Sequence, residues 1–228
     1  MKKPLLATTL SAVLAPVAFA AVTYNDSTND LGVGSFPHID ITSVEVSNTM
    51  TTLTFKINLN GDPVATDWGK YMVGIDKSAG GDTASNGWVR PISMQGGMEH
   101  WIGSWVNFGN GAQLWDYTGS WSQDSATGGV NPANIGISKD TSSVTITLDF
   151  ASLGLGMGNS FSFDVYTSGG GGTDGAVDAL SAASPSITNW GDSFQTSTGN
   201  AKNYTLVPEP AAALLGSIAA LALLRRRR

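Results

Sequence analysis

Cysteine is absent from the 228 residues, and charged side chains make up only 13% of them, about half the share of an average soluble domain. Without thiols there is no disulfide framework, no zinc ribbon and no cysteine nucleophile. Glu, Lys and Arg are too few for a coiled coil. His38 and His100 are the only histidines, too isolated to build a triad or a metal site by themselves. Glu45, Glu99 and Glu209 are the only glutamates. Neither a Gly-x-Ser-x-Gly elbow nor a His-Glu-x-x-His helix occurs. The glycine run 169–172 is not followed by Lys-Ser/Thr, so it is no phosphate-binding loop. What remains is apolar enough to fold. A hydrophobic fraction of 41%, with seven Trp and eight Phe, excludes a wholly disordered chain, and the length predicts one domain, two at most.

The two ends read as addresses rather than as fold. Met1-Lys2-Lys3, an apolar stretch and Ala18-Phe19-Ala20-Ala21 form a secretory signal peptide over residues 1–20, with signal peptidase expected to cut after Ala20. At the other end stand Val207-Pro208-Glu209-Pro210, an uncharged apolar run over 211–224, and Arg225, Arg226, Arg227 and Arg228. The run is shorter than the ~20 residues of a usual span, a mismatch that local thinning accommodates. The terminal arginines are expected to stay cytoplasmic. A core helix rarely ends in four like charges.

This tail, residues 206–228, resembles a PEP-CTERM sorting signal, with its Pro-Glu-Pro motif, short transmembrane helix and basic tail in the expected order. The resemblance implies export and recognition by an exosortase at the membrane. Cleavage of the tail and display at the cell surface or release are then expected, often in a biofilm or exopolysaccharide setting. Members share the tail and not a function, so the body must be read separately.

Six of the twelve basic residues and one of the eighteen acidic ones lie outside residues 21–207, leaving 6 basic against 17 acidic and a net charge of −11. Such a body repels nucleic acid and anionic lipid. Neutral glycans, cations and other proteins are the partners that charge allows.

The body reads as all-β. Leu53, Phe55, Ile57 and Leu59 alternate with Thr54, Lys56 and Asn58, the pattern of a half-buried strand. Val144, Ile146, Leu148 and Phe150 do the same, as do Phe161, Phe163 and Val165. Ile39, Ile41, Val44 and Val46 open the series, and residues 71–76, 101–106 and 114–117 add shorter runs. Gly, Asn, Asp and Ser clusters separate them. Eight or more short strands predict two packed antiparallel sheets, a jelly-roll-like β-sandwich over residues 21–205. Residues 195–210 are expected to form a last strand leading into a linker.

Asp26, Asp30, Gly32 and Gly34, followed by Ile39-Asp40-Ile41, Val44-Glu45-Val46 and Leu53-Thr54-Phe55-Lys56-Ile57, resemble the opening of the glucodextranase C-terminal type of β-sandwich. That type is related to family 9 carbohydrate-binding and DOMON-like modules. Its usual Gly-Asp-Asp is replaced here by Thr28-Asn29-Asp30. The resemblance implies non-catalytic glycan or ligand binding at a cell surface, often with a structural calcium ion.

Two candidate sites follow. Five tryptophans fall between positions 88 and 121. Trp101 and Trp105 share a strand face, as a core stripe would. Trp88, Trp115 and Trp121, beside glycine-rich turns, are the candidates for a ligand platform on which sugar rings stack, with Asn107, Gln113, Asp116 and Gln123 as polar partners. The alternative for all five is core packing. Asp26, Asp30 and Asp40 are the candidate ligands for Ca2+, which needs several oxygens. Asp174 and Asp178 form a second acidic segment after the glycine run. Its Gly-Gly-x-Asp character only partly matches a calcium-binding β-roll repeat.

The function expected is therefore an exported, surface-anchored, non-catalytic protein that binds extracellular polysaccharide or contributes to the matrix. The alternatives are a purely structural envelope protein and, more distantly, a hydrolase using Asp carboxylates.

Overall fold

A computed structural model describes residues 21–208. The signal peptide, Glu209, Pro210, the apolar run 211–224 and Arg225 to Arg228 lie outside the described residues. Among the described residues fourteen strands occur in chain order: β1 (Val22–Asn25), β2 (Ile41–Asn48), β3 (Thr52–Leu59), β4 (Lys70–Asp76), β5 (Ile92–Met94), β6 (His100–Trp105), β7 (Gly111–Tyr117), β8 (Trp121–Ala126), β9 (Ile135–Lys139), β10 (Ser143–Asp149), β11 (Ser160–Ser168), β12 (Asp178–Ala179), β13 (Phe194–Thr196) and β14 (Lys202–Thr205). Among the described residues the only helical pieces are short 3-10 turns.

The strands form two antiparallel sheets. The first runs β1-β2-β3-β10-β9 and the second β12-β11-β4-β6-β7-β8, with β14 also pairing β11. A small parallel pair joins β13 to β5. The alternating apolar residues of β3, β10 and β11 point between the sheets, as the period of two requires. Phe55 meets Phe163 edge-on, with centroids 5.4 Å apart. Val44, Ile146, Val73 and Ile102 complete a shared core without exposure. The arrangement is sandwich-like.

Two departures from simple alternation have local causes. Ile41 and Val44 are both buried although three residues apart, because the β2–β3 register shifts between Ile41 and Ser43. A bulge of this kind inserts a residue and returns the next side chain to the same face. In β6 the residues facing the sandwich interior include Ile102, whereas Trp101 is fully buried on the other face, with Met72, Ile92, Met94, Met98 and Tyr166. The second sheet is thus covered on both sides, its outer face by the segments that carry β5 and β13. The core expected for Trp101 exists, but it is this outer one. Trp105 stays half-buried.

The residues that follow β14 are tied to the body. Beyond β14, Leu206 N–H donates to Asn159 O, and Gly158 N–H donates to Leu206 O. Asn48 then holds Val207 by both backbone groups, accepting from its N–H at 3.1 Å and donating to its carbonyl at 2.9 Å.

Candidate functional site

One end of the two-sheet body gathers carboxylates from three separate stretches. Asp26 follows β1, Asp30 lies in the loop beyond it, Asp40 immediately precedes β2, and Asp178 opens β12. One oxygen each from Asp30, Asp40 and Asp178 lies within 4.8 Å of the others. Asp40 and Asp178 are only 2% and 3% exposed. The backbone fixes both. Asp178 Oδ2 accepts from Ile41 N–H at 2.6 Å and Oδ1 from its neighbour Ala179 N–H at 2.8 Å. Asp40 Oδ2 accepts from Asn29 N–H and from Asn60 Nδ2, both at 2.9 Å.

The remaining oxygens have nothing to accept. Asp40 Oδ1, both oxygens of Asp30 and Asp26 Oδ2 are buried without a hydrogen-bond partner. Among the described residues no lysine or arginine lies within ion-pair distance of any of the four. Asp26, Asp30 and Asp178 are shifted accordingly. Burial, with the charges of Asp26 and Asp30 adding to it, pushes Asp178 up to about 8. Burial first, then the charges of Asp30 and Asp164, pushes Asp26 up to about 7. Asp30 is raised by burial and by Asp40. Buried carboxylates without counter-charge take up either protons or a cation. A donor set of oxygens alone suits a hard cation such as Ca2+ better than a softer metal. Asp30, Asp40 and Asp178 would hold it, with Asp26 alongside.

Of the three expected ligands, Asp30 and Asp40 do come together. Asp26 reaches them through charge, and Asp178 is the ligand the sequence reading did not group with them. Asp174 goes elsewhere. Its Oδ2 accepts from Gly171 N–H at 2.8 Å, and Arg90 Nη1 donates to the Asp174 carbonyl at 2.9 Å. The glycine run is therefore a turn tied to Arg90.

The outer face of the second sheet carries the aromatic residues. Trp88, Trp105, Trp115, Tyr117 and Trp121 are each half-buried there. Glycines make room for two of them: a Cβ on Gly103 would run into the Trp88 indole, and one on Gly111 into Trp105. The Trp88 and Trp105 rings lie 6.3 Å apart at 36°, and Tyr117 and Trp121 lie 5.4 Å apart at 50°. Gln113 sits between, with Oε1 accepting from Trp88 Nε1 at 2.8 Å and Trp115 Nε1 at 3.1 Å. Trp121 Nε1 donates to Asp82 Oδ2 at 2.9 Å. The result is a strip of half-buried rings, of which Trp88, Trp115 and Trp121 have their indole N–H groups held by the protein.

The histidines serve other purposes. His100 Nδ1 pairs with Asp116 Oδ1 at 2.7 Å, across the β6–β7 ladder, and not with Glu99. Glu99 accepts from Lys77 N–H and Ser78 Oγ instead. His38 packs edge-on against Trp68 at 4.3 Å, and its burial lowers its pKa.

No protein-family model matches the chain, and no curated protein matches it.

Proposed function

We propose that this is an exported, surface-anchored, non-catalytic protein whose jelly-roll-like β-sandwich binds carbohydrate. The observation that carries the reading is the strip of half-exposed Trp88, Trp105, Trp115 and Trp121 rings with the Gln113 amide among them. Sugar rings present apolar C–H faces to flat aromatic surfaces, and amides and carboxylates take their hydroxyls. A shallow strip suits a polymer chain better than a small molecule, which prefers a concave pocket. Ca2+ on Asp30, Asp40 and Asp178 is the structural partner in this reading, fastening the loop after β1 to β12. The same packing disfavours the hydrolase. Glycosidase carboxylates stand about 5–10 Å apart across a cleft that admits a sugar ring, whereas Asp40 and Asp178 are almost fully buried.

Export by the signal peptide 1–20 and processing at Val207, Pro208, Glu209 and Pro210 by an exosortase belong to the same reading. Replacing Pro208-Glu209-Pro210 by alanines is expected to abolish tail processing, and unchanged processing on fractionation counts against it.

The decisive test is a glycan array probed with the exported protein and with Trp88→Ala and Trp115→Ala, in calcium and in chelator. Binding that falls about tenfold or more in each variant, the size expected of a central tryptophan contact, supports the platform. The purely structural reading draws on one observation: the indole N–H groups of Trp88, Trp115 and Trp121 already have partners within the protein. An array without signal for the unaltered protein decides for it.

A further inference from the structure

The joint at Val207 fixes which end of the body faces the membrane. We propose that, while the apolar run 211–224 is in the bilayer, the end built from the 49–51 turn and residues 151–159 rests on the lipid surface, and the carboxylate end points away. The proposal rests on reading that run as membrane-inserted, and on three features of the fold.

The first is distance. Val207 is held on both backbone groups by Asn48, and Tyr204 Oη donates to Asn48 Oδ1 at 2.8 Å. Only Pro208, Glu209 and Pro210 separate Val207 from Ala211. Four Cα steps, fully extended, span about 14 Å at most. The body has no slack with which to leave the surface or turn over.

The second is that both chain junctions emerge at this end. Val22 pairs with Val46, two residues before Asn48, so the expected leader cut after Ala20 lies beside the Val207 exit. The 49–51 turn and the end of β10 adjoin each other, since Asp149 pairs with Thr52 and Phe150 N–H donates to Thr51 O. Ser160 of β11 pairs with Thr205. The carboxylates sit at the start of β2, eight residues away along an extended strand, or about 26 Å.

The third is surface chemistry. In a body of net charge −11 no charged residue occurs in 46–55 or 150–163. Asp149, at the junction, accepts from Ala151 N–H. Asp76, Lys77 and Glu99 border this end on the second sheet, where Asp76 pairs with Ser162, with Glu99 held by Ser78 and the Lys77 backbone and Lys77 Nζ by Leu153 O. Met50, in the turn, is 53% exposed, and Leu155 and Met157 are partly buried against the core, the Met157 sulfur 3.9 Å from Asn48 Nδ2. Anionic headgroups repel an acidic surface. The uncharged 49–51 turn, with an exposed thioether side chain and hydroxyls, approaches them without that cost.

The chain lacks cysteine, so single-cysteine variants report unambiguously. A fluorophore is placed at Met50→Cys or, at the far end, at Ala65→Cys, both exposed positions. The full chain is reconstituted into phosphatidylethanolamine–phosphatidylglycerol vesicles containing brominated lipid. The expected result is several-fold stronger quenching at position 50 than at position 65, in protein that resists carbonate extraction. Adding Asn48→Ala to the Met50→Cys protein is expected to lower the quenching while extraction resistance stays. Equal quenching at both positions, or stronger quenching at 65, in extraction-resistant protein overturns the proposal and leaves the anchor reading standing. Quenching unchanged by Asn48→Ala overturns the clamp. Extraction by carbonate overturns the anchor reading and the proposal together.

Discussion

Asp40 and Asn48 lie at opposite ends of β2, and both are almost fully buried, at 2% and 4% exposure. Their surroundings differ completely. Asn48 uses all its capacity: Nδ2 donates to Thr49 O and Val207 O, and Oδ1 accepts from Tyr204 Oη and Val207 N–H. Asp40 has partners for one oxygen only; the other is buried without one, and the carboxylates of Asp30 and Asp178 are close by. A buried polar group with every bond made is a joint, because it stabilises one geometry and asks for nothing else. One with a bare acceptor among carboxylates leaves a place that a cation can fill.

Breaking the joint has the largest effect expected. Asn48→Ala removes four hydrogen bonds and leaves the buried Tyr204 hydroxyl unpartnered. The expected loss is about 2–4 kcal/mol, or roughly 5–15 °C in Tm for a body of this size. Thermal unfolding followed by tryptophan fluorescence measures it. A change within a degree means that Val207 is held by something other than Asn48.

At the other end of β2 the expected sign depends on the buffer. In chelator, Asp40→Asn removes one of several crowded charges, so Tm holds or rises. In calcium the unaltered protein gains about 2.7 kcal/mol when the ion exceeds its Kd a hundredfold, roughly 5–10 °C, and Asp40→Asn gains little. Scans of both proteins in both buffers give the four values needed. Equal Tm for the unaltered protein in calcium and chelator removes calcium from the account.

How much of this was legible before folding depends on the range of the interaction. β3, β10 and β11 announce themselves, because alternation is local and one face of each meets the shared core. The outer core was not legible as such: in β6, Trp101 and Ile102 are both buried, and a strand covered on both faces carries no signal as to which side is inside. Asp30 and Asp40 were legible as neighbours in one acidic segment. Asp178 was not, since it reaches Ile41 across 137 positions through the β11–β12 pairing. Nor was the joint, because Asn48 reads as an ordinary turn residue until β14 brings Val207 beside it.

Asp164 lies between the two cases. It is buried with four hydrogen bonds, from Val165 N–H, Ser181 N–H, Ser181 Oγ and Thr196 Oγ1. Burial outweighs them and pushes it up to about 6. Between an unfolded value near 3.8 and about 6 the folded state binds the extra proton. Its contribution is therefore full below the lower value and lost as pH rises through the upper one. In chelator, Asp164→Asn is expected to flatten this part of the Tm–pH curve by a few degrees. An unchanged slope between pH 4 and pH 7 assigns the dependence to other carboxylates.

The smallest effect is expected midway along β2, where neither kind of burial operates. Glu45 meets Lys56 at 3.7 Å with both side chains more than a third exposed, and it also accepts from Asn58 Nδ2 at 3.0 Å. Water screens such a pair, and holding two long side chains in register costs entropy, so Lys56→Ala is expected to change stability by about 0.5 kcal/mol or less. Salt supplies the check: whatever the pair contributes declines between low and high ionic strength, while the effect of Asn48→Ala stays. If Lys56→Ala rivals Asn48→Ala in size, burial is not what separates the ends of this strand from its middle, and the contrast between Asp40 and Asn48 loses its physical basis.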